Sequence, residues 1–283
     1  MITLNEEQAR KDLVDVARLS YSRDYICGTE GNFSVRLDAE TLLTTPRGVC
    51  KGSLTVSDLV VTNLDGHLTA NGQMTSRLPS TELPMHLAVY RLRPDVRAVV
   101  HAHPTTAVAF TVAGKSLTRC LLPEAILALG NIPVAPYATP STQEVPDSIE
   151  ACVRENNVVM LDHHGALCYA DTIWDAFYLL ETLEHHAKTF LIAELLGGAK
   201  PLQKGAVEKL FDICSIYGMK VPANSAELLK GDRVSHNSTF INPVTNKSAP
   251  ANSNHTSMQG SNSGLLKDKI DNLKNKLDTM KNG

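Results

Sequence analysis

The chain has 283 residues, a hydrophobic fraction of 43% and a formal net charge of −3 at pH 7. These values are typical of a globular protein, and they exclude the basic field that binds nucleic acid. No apolar run reaches the roughly 18 residues of a membrane span, and the acidic start MITLNEEQARKDL is unlike a secretion signal. The six cysteines are scattered singly, which favours reduced thiols. We therefore expect a cytoplasmic protein.

The spacing of apolar residues predicts a first helix over residues 6–25. After Gly28, three short apolar runs predict strands, and the last run predicts a hairpin that turns at Asp65-Gly66. Further along, the patterns predict strands over 97–103 and 132–138, two strand segments within 158–170, and helices near 79–94, 104–113, 142–156, 171–196 and 204–217. Strands mixed with helices indicate a mixed sheet flanked by helices.

The composition changes near the C-terminus. Residues 1–231 are expected to form one domain, followed by a Ser- and Asn-rich linker over 232–264 that is too polar to order itself. Residues 265–281 return to a helical period, with apolar side chains at Leu266, Ile270, Leu273, Leu277 and Met280. This pattern predicts an amphipathic helix with one apolar stripe, too short to be stable alone.

Two histidines lie one residue apart in the apolar run VVHAHP. Side chains at alternate positions of a strand share a face, so His101 and His103 can converge on one metal ion. A third histidine is offered by LDHHGALCYA, where Gly165 permits a bend and either His163 or His164 could reach the site. Three histidines leave an open coordination position, which is typical of a catalytic zinc.

Polar segments near this strand suggest an anion site. Glu82 is the candidate acid/base, and we expect it in the first turn of a helix capped by Ser80 or Thr81. The Gly-rich segment GTEGNFS and the segment TPRG offer backbone and side-chain donors that suit a phosphate. The candidate phosphate-binding residues are Thr29, Asn32, Arg47, Gly48, Ser80 and Thr81.

Five segments together resemble the class II aldolase family: GTEGNFSVR, TPRG, LPSTELPMHLAVYRLRPDVRAVVHAHP, APYATPSTQEV and LDHHGALCYA. The resemblance covers about residues 6–220 and implies a mainly antiparallel central sheet between helices. It also implies one Zn²⁺ per subunit on His101, His103 and His164, Glu82 as acid/base, and the phosphate ligands given above. Tyr217 matches a C-terminal tyrosine that assists proton transfer, reaching the site of a neighbouring subunit in a four-fold symmetric homotetramer.

The resemblance implies a lyase that cleaves a phosphorylated ketose, most closely L-fuculose 1-phosphate, to dihydroxyacetone phosphate and L-lactaldehyde. Arg47 stands where such aldolases have a small hydroxyl residue, and an aromatic residue is absent before GNIP. Two alternatives within the family are a ribulose-phosphate 4-epimerase and a sugar-acid phosphate decarboxylase. A third, from another class, is a non-catalytic domain like the adducin head, against which the intact histidines argue.

The C-terminal helix resembles the encapsulation peptides of bacterial microcompartments. This resemblance implies that residues 265–281 bind a shell protein and that the enzyme works in the microcompartment lumen. Confinement suits an enzyme whose aldehyde product is reactive and volatile.

Overall fold

The computed structural model describes residues 4–69, 75–217, 221–222 and 225–229. Within these ranges, no helix is long and apolar enough to cross a membrane. The predicted domain end at residue 231, the linker over 232–264 and the helix over 265–281 lie outside the described residues. They therefore stay predictions.

Seven strands form one sheet in the described part of the chain. They are β1 Asn32–Arg36, β2 Thr41–Thr44, β3 Val60–Asn63, β4 Ala98–Ala102, β5 Val134–Ala135, β6 Val158–Leu161 and β7 Ala166–Ala170. Their spatial order is β3-β2-β1-β4-β7-β6-β5. Five of the six neighbouring pairs are antiparallel and β5–β6 is parallel. The prediction of a mixed, mainly antiparallel sheet is confirmed.

Helices cover both faces of this sheet. They are α1 Glu6–Ser22, α2 Leu83–Leu92, α3 Thr105–Val112, α4 Pro123–Leu129, α5 Glu144–Val153, α6 Ile173–Leu195, α7 Lys204–Ile216 and α8 Ser225–Leu228. Alternate residues of β4 enter two different cores: Val100 packs with residues of α1 and α6, and Val99 packs with residues of α2 and α5. This alternation follows from the two-residue period of a strand, so His101 lies on the face that carries α2.

Two of the differences between predicted and observed bounds concern α2 and β5. Helix α2 begins at Leu83 and Glu82 is its N-cap residue, so Ser80 and Thr81 do not cap the helix as expected. The chain instead turns there, because the Leu83 amide bonds the Ser80 carbonyl oxygen. The strand predicted over 132–138 shortens to the two residues of β5, since Pro133 and Pro136 lack the N–H that a longer ladder needs.

The predicted hairpin turn after β3 is present. The Gly66 amide donates to the Asn63 carbonyl oxygen, and the Asn63 amide donates to the carbonyl oxygen of His67. The returning segment pairs through one bridge, between Thr62 and Leu68. Helix α4 was not predicted, because seven residues starting at a proline give too little periodic pattern to recognise.

Candidate metal centre

The end of β4 delivers two histidine side chains to one point. His101 is fully buried in β4, and His103 follows directly after the strand. Their rings meet edge to face with centroids 4.9 Å apart, and their Nε2 atoms are 3.1 Å apart. The alternation of side chains along the strand thus places both rings on one side, as the sequence predicts.

The turn between β6 and β7 supplies the third histidine. The ring centroid of His164 lies 4.8 Å from that of His101 and 5.0 Å from that of His103. One nitrogen from each of the three rings lies within 4.8 Å of the others. His163 has a positive φ of 54° and binds Asp162 through Nδ1, so its ring points elsewhere. His164, and not His163, therefore lies in the cluster of three rings, and its role as a metal ligand stays a prediction.

Gly165 leaves room for this cluster. A Cβ atom built on Gly165 would lie 2.6 Å from the Ala102 carbonyl oxygen and 2.6 Å from Cδ2 of His103. It would also lie 2.9 Å from Cε1 of His101. The glycine is thus required because two histidine rings of the cluster pack against its backbone, a reason that differs from the bend expected from the sequence.

The protonation of the rings fits a metal ligand set. The Nδ1 atom of His101 is 3.0 Å from the Ala166 carbonyl oxygen, which can only accept, so Nδ1 carries the hydrogen and Nε2 keeps its lone pair. Burial lowers the pKa of His101 well below its usual value and also lowers the pKa of His103. Neutral imidazoles with converging lone pairs are what a divalent transition metal binds.

Glu82 faces the same point from the start of α2. Its Oε1 atom is 3.2 Å from Nε2 of His164, and its Oε2 atom is 3.5 Å from Nε2 of His101. Burial raises the pKa of Glu82, but the imidazoles of His101 and His164 and the amide of Asn32 lower it, and the net pKa lies below the usual value. The side chain is thus a carboxylate at neutral pH, held beside the three histidines.

The structure brings TPRG next to the segment that precedes α2. Pro46 pairs with Pro79 in a β-bridge, and the Arg47 amide donates to the Leu78 carbonyl oxygen over 2.9 Å. The exposed Gly48 has a φ of 69°, a conformation that favours glycine. TPRG and the residues just before Glu82 therefore lie side by side.

The individual phosphate candidates differ in their surroundings. Thr29 and Arg47 are exposed, Ser80 is half-buried, and the exposed Thr81 accepts a hydrogen bond from the Ser141 hydroxyl.

Asn32 is buried, and its side chain forms hydrogen bonds with Glu82 and with the buried His86 rather than facing solvent. The phosphate-binding role of all six residues stays a prediction.

Sequence analysis missed a buried cation beside the Gly-rich segment. Lys51 is 2% exposed and its Nζ atom donates to the Thr29 carbonyl oxygen over 2.7 Å. Burial lowers its pKa to about 8, although Cys50, Glu82 and Glu30 favour the charged form. A lysine in a segment of mixed polarity gives no periodic signal, so its burial becomes visible once the fold places it under Thr29.

The charge of Lys51 is expected to support anion binding. Inorganic phosphate, tested as a competitive inhibitor, should bind roughly tenfold more weakly to Lys51→Met below pH 8, because one nearby positive charge is lost. Above pH 8, wild-type Lys51 loses its proton, so the ratio of the two inhibition constants should approach one. Lys115→Met, which removes an exposed lysine, is the control. A ratio that does not change with pH would contradict this role.

Tyr217 stands apart from the histidine cluster within its own chain. It caps the end of α7 and is 75% exposed. Among the contacts of the described residues, none joins Tyr217 to Glu82 or to the three histidines. Its predicted role in a neighbouring subunit's site stays a prediction.

Comparison with known proteins agrees with this geometry. Residues 11–191 match the family described as Class II Aldolase and Adducin N-terminal domain. The chain is 29% identical over 191 residues to a 3-oxo-tetronate 4-phosphate decarboxylase of Escherichia coli O6:H1, covering 66% of this chain and 88% of that protein. It is 33% identical over 178 residues to an L-fuculose phosphate aldolase of Methanococcus vannielii, covering 63% of this chain and 93% of that protein.

A solved relative has the same fold. L-Fuculose-1-phosphate aldolase from Thermus thermophilus superposes with a TM-score of 0.60 and is 32% identical, covering 70% of this chain and all of that one. The chain therefore belongs to the class II aldolase family. Membership supports a lyase-type enzyme of carbohydrate metabolism, in a family that is typically metal-dependent.

Proposed function

We propose that the protein is a zinc-dependent aldolase that cleaves L-fuculose 1-phosphate to dihydroxyacetone phosphate and L-lactaldehyde. The observation that supports it is the carboxylate of Glu82 set against three converging, mostly buried histidines. His101, His103 and His164 would hold the zinc ion. When bound there, zinc would supply a Lewis acid that stabilises the negative charge developing on the ketone oxygen.

The chain's own residues would hold and move the protons. Cleavage breaks the C3–C4 bond of the sugar, so the hydroxyl on C4 must lose a proton as it becomes the aldehyde. The electron pair of the broken bond passes into the enediol system, and C3 must then gain a proton. Tyr217 of a neighbouring subunit would relay the proton that the C4 hydroxyl releases, giving up its own phenolic proton as it accepts that one. Glu82, a carboxylate before the reaction, would take up the relayed proton and deliver it to C3, and would take it back from C3 in the condensation direction.

The phosphate would lie beside Glu82 and contact Gly48, Ser80, Thr81 and the exposed Arg47, a placement supported by the pairing of TPRG with the segment just before Glu82. Backbone amides and hydroxyls there would orient the phosphate and so fix the distance from the sugar carbons to the carboxylate. Thr29 lies on the Gly-rich segment that carries the Lys51 cation below it. This arrangement supports a phosphorylated substrate.

The substrate is tested with a panel of phosphorylated compounds. Purified enzyme with zinc should turn over L-fuculose 1-phosphate faster than rhamnulose 1-phosphate or ribulose 5-phosphate, and release dihydroxyacetone phosphate and lactaldehyde. Conversion of ribulose 5-phosphate to its epimer would instead show a 4-epimerase. An absence of turnover with the whole panel, and of bound metal, would favour a non-catalytic domain like the adducin head.

A second candidate is decarboxylation of 3-oxo-tetronate 4-phosphate, the reaction in the name of one relative. Losing carbon dioxide from this compound breaks the C1–C2 bond, whose electron pair passes towards the C3 ketone and leaves the same enediol of dihydroxyacetone phosphate. The exposed guanidinium of Arg47 favours this candidate, because it could bind a second negative charge. Measured carbon dioxide without any aldehyde would identify the decarboxylase.

We also propose that the enzyme is a homotetramer with sites near subunit interfaces. This follows from the predicted role of Tyr217, whose exposed side chain is free to enter a neighbouring subunit. Mixing Tyr217→Phe subunits with Glu82→Gln subunits should restore part of the activity if the two residues act across an interface. No restoration would contradict the shared site.

Residues 265–281 are proposed to carry the enzyme into a microcompartment by binding a shell protein. A fluorescent protein fused to residues 235–283 should form puncta in cells that make such shells, because the apolar stripe needs a partner to cover it. The enzyme truncated at residue 234 should stay active and free of shells. Diffuse fluorescence together with shell-bound truncated enzyme would contradict this proposal.

A further inference from the structure

A row of buried polar side chains leads from the sheet interior to Glu82. It consists of Tyr90, Ser34, His86 and Asn32, and is called the polar row below. Tyr90 OH is 2.8 Å from Ser34 Oγ, and Ser34 Oγ is 2.7 Å from His86 Nδ1. His86 Nε2 is 2.6 Å from Asn32 Oδ1, and Asn32 Nδ2 is 2.8 Å from Glu82 Oε2. All four side chains are at most 3% exposed.

The direction of the hydrogen bonds follows from the Glu82 end. The Asn32 Nδ2 atom, which can only donate, faces Glu82 Oε2 at 2.8 Å. The Oδ1 atom of Asn32 then faces His86 and can only accept. The Nε2 atom of His86 must therefore carry a hydrogen and donate it.

The hydrogen bonds at the far end of the row also have a defined direction. Burial lowers the pKa of His86 to about 4, so its ring is neutral and Nδ1 keeps a lone pair. The hydroxyl of Ser34 donates its hydrogen to that lone pair and has none left for Tyr90. Tyr90 must then donate to Ser34. Each member thus donates towards Glu82.

We propose that the polar row is a positioning device that fixes the Asn32 amide with Nδ2 towards Glu82 and so holds the Glu82 carboxylate at the histidine cluster. A flipped amide would set the Oδ1 lone pairs against the carboxylate and push it away. The neutral His86 prevents that flip by donating to Oδ1. This inference rests on the acid/base role proposed for Glu82, and it makes Asn32, His86, Ser34 and Tyr90 positioning residues.

The tautomer of His86 can be measured without activity. Long-range proton–nitrogen NMR of the zinc-loaded enzyme with labelled histidine, assigned with His86→Phe, should show a neutral ring protonated on Nε2 between pH 6 and 8. The Ser34→Ala enzyme should show part of the ring protonated on Nδ1, because the donor that selects the tautomer is gone. A charged ring, or wild-type His86 protonated on Nδ1, would overturn the proposal.

Kinetics of matched variants give the second test. Ser34→Ala should lower kcat about tenfold, and Tyr90→Phe about threefold, with KM and zinc content unchanged, because Ser34→Ala loses two hydrogen bonds of the row and Tyr90→Phe loses one. Ser20→Ala and Tyr169→Phe are the controls. Each removes an equally buried hydroxyl that bonds a backbone carbonyl away from the site. These controls should lower the unfolding temperature by similar amounts and leave kcat unchanged.

The two proposals fail in different ways. If Glu82→Gln keeps near-wild-type turnover, the acid/base role is wrong whatever the NMR shows. If Glu82→Gln is inactive but Ser34→Ala turns over as fast as Ser20→Ala, the positioning role alone is wrong. A loss of zinc in Ser34→Ala would also overturn it, since it would show that the row supports the ligands rather than the carboxylate.

Discussion

Replacing His103 by alanine is expected to remove the bound zinc and to lower turnover by roughly a thousandfold or more, because several kcal/mol of charge stabilisation leave with the metal. The remaining histidines supply two ligands, one fewer than a catalytic zinc site uses. The fold should persist, since His103 lies beyond the end of β4 and is partly exposed. Metal content by plasma mass spectrometry, activity and circular dichroism on one preparation provide the measurement.

His163→Ala is the matched control for this experiment. His163 lies next to His164, but its ring binds Asp162 and is largely exposed. This variant should keep one zinc per chain and near-wild-type turnover. If the control lost its zinc and His103→Ala kept it, the ligand set derived from the structure would be wrong.

Replacing Glu82 by glutamine is expected to lower turnover by about 10²–10⁴ while zinc and phosphate still bind. Glutamine has the size of glutamate and can still receive the Asn32 hydrogen bond through its carbonyl oxygen. It cannot hold the proton that C3 must gain. Turnover under saturating substrate, zinc content and phosphate inhibition should be measured together.

Glu144→Gln is the control, since Glu144 bonds the Thr139 amide on the surface. Its turnover should equal that of the wild type. Turnover of Glu82→Gln within a few-fold of the wild type would remove Glu82 from the mechanism. A loss of zinc in this variant would mean that the carboxylate also holds the metal, and turnover would then have to be compared at saturating zinc.

The sequence predicts most of the sheet because its strands have strong local signals. The segments that form β4, β6 and β7 are apolar and bounded by turns, so they can be recognised as strands from the sequence alone. The hairpin at Asp65-Gly66 has a turn signature of its own. Helix α4 and the short β5 depend on packing against α6 and β6, contacts that distant segments provide, and sequence analysis missed the first and overextended the second.

The sequence also predicts part of the arrangement of side chains at the candidate site. The alternation of His101 and His103 is a local property of a strand, whereas the choice of His164 over His163 depends on a positive φ in a turn. The link from Glu82 through Asn32 to His86 joins β1 to α2 and cannot be read from either segment alone. The burial of Lys51 likewise depends on how its segment folds beneath Thr29.

The proposed ligands lie far apart in the chain, with two at the end of β4 and the third in the turn between β6 and β7. An unfolded chain therefore holds no preformed pocket for the ion, so zinc bound at the proposed site would favour the folded state and shift the folding equilibrium. Once zinc exceeds its dissociation constant, each tenfold rise in free zinc would add about 1.4 kcal/mol to the free energy of unfolding. The supply of zinc would then set the lifetime of the enzyme as well as its activity, and chains made under zinc starvation would unfold and be degraded first.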